Sequence, residues 1–124
     1  MVSLKKELRR LKSLKARQQE KKQNGAEIET ITWIVATWHS IPFFEEALGI
    51  ETATYTALEM LSRLGREHFS NPLQTVHINW DIGERFTVWL FYLPKKKTLR
   101  TTVADNVDEK LYESVEIPVM FEHS

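Results

Sequence analysis

The earliest apolar pattern in the chain is Leu4, Leu8, Leu11 and Leu14, spaced three and four residues apart as one stripe of a helix requires. Lys5, Lys6, Arg9, Arg10, Lys12 and Arg17 cover the rest of that helix, so residues 1–24 read as a basic amphipathic arm ending at Asn24-Gly25, a left-handed cap position. From Ala26 to His39, Ile28, Ile31, Ile34, Val35 and Trp38 fall within one half of a helical wheel, which predicts a core helix. Trp33 sits off that stripe and is expected under another element of the domain. Pro42 has the fixed φ of a first helical position, which predicts a short helix through Phe43, Phe44, Ala47 and Leu48 that Gly49 stops. A longer helix follows, capped by Thr52 or Glu51, with Ala53, Ala57, Leu61 and Leu64 on one face and Leu58 and Met60 at its margins. Thr52, Tyr55, Thr56, Glu59, Arg63 and Arg66 gather opposite.

After Ser70-Asn71-Pro72 the period changes from helical to two. Val76, Ile78 and Trp80 alternate with Thr75, His77, Asn79 and Asp81, which predicts a strand with one wet face. Asp81-Ile82-Gly83-Glu84 reads as a hairpin turn, and Phe86 to Leu93 as a central strand covered on both sides. Pro94 and Lys95-Lys96-Lys97 form a basic loop, after which Leu99, Thr101 and Val103 suit a short strand. Asp105-Asn106 with Asp108 and Glu109 resembles a capped helix start and predicts a helix to about Ser114. Val115 to Phe121, broken by Pro118, reads as an edge strand. The expected architecture is α+β, with residues 1–24 as an arm and 25–124 as one domain. The domain holds a three-helix unit with a helix-turn-helix-like pair, an antiparallel β-hairpin, a short C-terminal helix and an edge strand.

Composition sharpens this picture in two places. The chain has 124 residues and no cysteine, enough for one core without staples and with no thiolate metal site or thiol nucleophile. Its zero net charge conceals a split: residues 1–22 hold nine basic groups against two acidic ones, a net +7, and the remainder is −7. The arm is therefore expected to meet an anionic surface, nucleic acid or an acidic protein face, its own included. Residues 105–122 carry six carboxylates against Lys110 alone and would offer such a face, in the same subunit or in a dimer joined through the arm. No stretch approaches a membrane span or a signal peptide, which gives the expectation of a soluble, cytoplasmic protein.

Leu48-Gly49-Ile50, the cap, Ala53-Thr54-Tyr55, then Leu58, Leu61, Leu64 and Gly65 resemble the turn and recognition helix of winged helix-turn-helix regulators. The resemblance covers residues about 41–93 and implies DNA binding, with the hairpin as wing. It implies that Thr52, Thr54, Tyr55 and Thr56 face the groove. The basic arm, Arg63, Arg66, Arg85 and Lys95 to Lys97 would then lie on phosphates. Two features depart from the family. Tyr55 stands where a small β-branched residue is usual, and the first turns of the reading helix carry no basic side chain.

Catalytic signatures are absent: no GxSxG elbow, HExxH helix, phosphate loop or GxGxxG turn. His77, Asn79 and Asp81 share one strand face, which suits a solvated strand better than a metal cluster. A non-enzymatic protein without cofactor is expected, binding DNA or acting as an acidic protein-interaction module. DNA binding is the first expectation and the acidic module the alternative, supported by the −7 body and by four tryptophans, since interfaces are rich in Trp.

Overall fold

A computed structural model describes residues 25–121. Three helices, α1 (Gly25–His39), α2 (Phe44–Ala47) and α3 (Ile50–Ser70), precede five strands. The strands are β1 (Val76–Ile82), β2 (Phe86–Leu93), β3 (Thr98–Asp105), β4 (Lys110–Glu113) and β5 (Ile117–Pro118). All pairings are antiparallel, in the order β1-β2-β3-β4, with β5 beside β3 next to β4. The α+β expectation and its antiparallel hairpin hold.

The alternation read from the sequence decides which face is buried. Val76, Ile82, Phe86, Val88, Leu90, Tyr92, Leu99 and Val103 point inward together with Ile31, Ile34, Val35 and Trp38 of α1 and Ala53, Ala57, Met60, Leu61 and Leu64 of α3. Trp33 is half-buried against the same core, as expected. Phe44 of α2 is fully buried, its ring 5.9 Å from Trp38 and 5.2 Å from Phe86. One polar relay crosses the layers: Trp38 Nε1 donates to Thr101 Oγ1 at 2.9 Å, and Thr101 Oγ1 donates to the Trp89 carbonyl at 2.8 Å. A buried indole and a buried hydroxyl thereby satisfy each other.

Local starts differ from expectation in two helices. Pro42 lies in a turn, and α2 begins only at Phe44 because Phe43 adopts φ 67°, in the left-handed region. Helix α3 begins at Ile50 with Gly49 as an extended N-cap in place of the expected Thr52 or Glu51, and no side chain caps it. Glu51 still lies in the positive first turn.

The predicted helix from Asp105 to Ser114 is corrected to a turn and a strand. The Asp105 carboxylate accepts from the N–H groups of Val107 (3.0 Å) and Asp108 (3.1 Å), the same bonds an N-cap makes. Those bonds also form an Asx turn. Glu109 then takes φ 55°, and Lys110–Glu113 returns along Asp105 to Thr102. The C-terminal edge strand shrinks to Ile117–Pro118. Beyond it Val119 is buried and accepts from the Tyr92 hydroxyl at 3.1 Å, and the Phe121 ring lies 3.1 Å from where a Cβ on Gly65 would sit. Strand β2 is central, but described helices cover only its inner face.

Candidate interaction surface

Helix α3 buries half of its circumference. Its inward set includes Thr54 and Thr56 beside Ala53, Ala57, Met60, Leu61, Leu64 and Gly65, because the helix packs on α1 as well as on the sheet. Thr54 is fully buried and its hydroxyl donates to the Ile50 carbonyl at 2.7 Å. Of the four residues expected to face a DNA groove, only Thr52 and Tyr55 reach the surface, so Thr54 and Thr56 are corrected to core positions.

The described residues expected on phosphate sit on three elements, helix α3, the β1–β2 turn and the β2–β3 turn. Arg63 is exposed, donates to Glu59 at 3.1 Å and lies over the Trp80 ring at 5.2 Å. Arg66 is exposed farther along α3. Lys95, Lys96 and Lys97 are exposed at the β2–β3 turn, with Lys96 Nζ 3.7 Å from Glu116. Lys5, Lys6, Arg9, Arg10, Lys12 and Arg17, and with them the docked or dimerising arm, lie outside the described residues.

Arg85 is committed inward. Its Nε and Nη2 donate to Asp105 at 3.1 and 2.9 Å, and Nη2 also donates to Asp108 at 3.2 Å. The guanidinium lies 4.6 Å from the Phe43 ring centroid and 5.3 Å from that of Phe86. Hydrogen bonding from Arg85 holds the Asp105 carboxyl below its ordinary 3.8, against its burial, and the same bond raises Arg85. Asp105 and Asp108 thus face Arg85, and Glu116 accepts from the Thr98 hydroxyl at 3.0 Å. Three of the six carboxylates expected to form an acidic face at 105–122, Asp105, Asp108 and Glu116, are engaged within the domain, while Glu109 and Glu113 are exposed and Glu122 lies outside the described residues.

The outer face of the sheet is the surface that sequence reading missed. Its rows follow from the strand register: Leu93 with Thr98 and Pro118; His77 with Phe91 and Arg100; Asn79 with Trp89, Thr102 and Glu113; Asp81 with Thr87, Ala104 and Leu111. No described helix lies on this face. Phe91 is sandwiched across three strands, with Arg100 4.8 Å over its ring and His77 stacked on it at 5.7 Å and 22°. Trp89 stands in the next row, half-buried. Arg100 Nε and Thr102 Oγ1 are buried here without a hydrogen-bond partner, where native polar atoms are nearly always paired. A strand with alternating polarity announces its wet face only as residue types. The register that aligns Arg100, Phe91 and His77 is tertiary.

Other features carry less chemistry. A groove of about 340 Å³ runs between the end of α1 and β3–β4, lined by Thr37, Ser40, Ile41, Thr101, Val103, Leu111, Tyr112, Glu113 and Ser114. The Ser114 hydroxyl accepts from the Thr101 N–H at 3.0 Å and donates to the Val115 carbonyl at 2.9 Å, and the Thr101 hydroxyl is spent on Trp38 and the Trp89 carbonyl. His39 lies beside Phe44, and burial holds its imidazole below the ordinary 6.5. Among the described residues no group of three His, Cys, Asp or Glu side chains is disposed to hold a metal, and no helix is long and apolar enough to cross a membrane. Comparison with protein-family models, curated proteins and solved structures gives no match.

Proposed function

We propose that this chain is a non-enzymatic protein-interaction module, acting in the cytoplasm, whose partner binds the outer face of the sheet. The observation that carries the reading is the row Arg100-Phe91-His77 with Trp89 beside it, on the face opposite the three described helices. Trp and Arg are the side chains that anchor protein interfaces most often, and rigid aromatics lose little conformational entropy on docking.

The electrostatics favour protein over DNA. The chain beyond the arm carries −7, and Arg63, Arg85 and Lys96 already face carboxylates. A DNA-binding role, as the winged-helix resemblance implies, is favoured by the exposed Lys95 and Lys97 and by the +7 arm. Phosphate contact through them would make affinity fall steeply with salt. Affinity capture with the full chain, with and without nuclease and across a salt series, separates the two readings. A stoichiometric protein that survives nuclease and high salt is expected. Recovery of a polymer that nuclease removes would overturn the protein-partner reading in favour of the second.

A further inference from the structure

Strand β1 is the long free edge of the sheet among the described residues. Each position from Val76 to Ile82 pairs one-to-one with β2 and with no other described strand. Such an edge presents a row of backbone donors and acceptors to any chain that can align with it, and proteins blunt it with Pro, Lys, a bulge or an inward charge. Val-His-Ile-Asn-Trp-Asp-Ile has none of these, and its inward positions Val76, Ile78, Trp80 and Ile82 are all apolar. The opposite edge at β4 is only four residues long and carries Lys110 and Glu113.

We infer that β1 is an interface between two copies of this chain, joined antiparallel about a two-fold axis at Asn79, so that two five-stranded sheets become one of ten strands. A two-fold perpendicular to the sheet keeps like faces together only when paired residue numbers sum to an even number, which restricts the register. Centring on Asn79 pairs all seven residues of β1, whereas centring on Ile78 or Trp80 pairs only five. The Asn79 register sets Val76 against Ile82 and Ile78 against Trp80 of the second copy on the inner face. On the outer face it sets His77 against Asp81 and Asn79 against Asn79.

Every contact in that register is complementary. Ile78 and Trp80 are half-buried at the rim of the core, and each gains an apolar neighbour. The Asp81 Oδ1 already accepts from the Thr87 hydroxyl at 3.0 Å, leaving Oδ2 to accept from the imidazole N–H of the second copy. No like charges meet. His77 belongs both to the outer-face row and to this join, whereas the inner-face pairs Val76–Ile82 and Ile78–Trp80 belong to the join alone.

The chain has no cysteine, so Asn79→Cys introduces a sole thiol. Directly opposed Cβ atoms lie about 4.5–5.5 Å apart, a short adjustment from disulfide distance. Asp81→Cys is the control, because in this register its thiol lies four residues along the strand from its counterpart, about 13 Å away. The full chain is expected to sediment as a dimer, and Asn79→Cys to give a covalent dimer under mild oxidation while Asp81→Cys does not. Asn79→Lys places two ammonium groups on the axis and is expected to raise the dimer dissociation constant roughly tenfold or more without altering the circular dichroism of the fold or the melting of the dissociated monomer at high dilution. A monomeric full chain, equal cross-linking of the two cysteine variants, or a dimer of unchanged affinity in Asn79→Lys would each overturn the proposal.

Discussion

Asp105 shows how one side chain can close a turn, hold a cation and mislead a sequence reading at once. Its carboxylate takes two backbone N–H groups and the Arg85 fork, and its charged form is stabilised by the bond from Arg85. A carboxyl depressed below 3.8 contributes stability that is present above that value and lost as pH falls through the folded value. Asp105→Asn is therefore expected to lower the melting temperature at pH 7 and to flatten the acid limb of a melting-temperature profile. An unchanged profile would place the acid sensitivity elsewhere. His39 acts in a higher window. Burial keeps it neutral below its ordinary 6.5, so the unfolded chain binds the extra proton and stability should fall from pH 7 towards pH 5. His39→Gln should remove that slope, as denaturant midpoints across the same pH range would reveal.

At the scale of elements, each of the three turns joining β1 to β4 places one residue in the left-handed region, Gly83 at φ 60°, Lys97 at φ 54° and Glu109 at φ 55°, as the turn before α2 does with Phe43. A Cβ on Gly83 would meet nothing within 4 Å, so Gly83→Ala tests backbone strain alone. It is expected to cost about 1–2 kcal/mol in chemical denaturation with an unchanged m value. Gly83 was legible because glycine between two alternating runs is a turn with a mechanism. Glu109 was not, since nothing in its side chain favours positive φ, and the bonds of Asp105 look the same in a helix cap and an Asx turn. The β1–β2 alternation and the core stripes of α1 and α3 were readable because one face of each is buried. Thr54 and Thr56 were misplaced because the wheel of α3 divides apolar from polar residues, whereas α3 packs on both α1 and the sheet and draws small hydroxyls into its buried half.

For the whole molecule, the decisive asymmetry is that the three helices among the described residues share one face of the sheet. The apolar outward residues of β2 read in sequence as a strand covered twice; in the fold they leave Trp89, Phe91 and Leu93 on a face that no described helix covers. The described basic side chains expected to meet phosphate are spread over α3, an inward clamp at Arg85 and the β2–β3 turn. Two surfaces thus compete as the docking site, the outer face and the exposed start of α3. The most direct measurement compares partner recovery by native chain, Trp89→Ser and the pair Thr52→Ala with Tyr55→Ala, each first verified as folded by its melting curve. Loss of an interface anchor of this kind typically costs at least 2 kcal/mol, so Trp89→Ser is expected to weaken partner binding roughly thirtyfold while the α3 pair binds as native. Native-like binding by Trp89→Ser, with loss confined to the α3 pair, would contradict the assignment of the outer face.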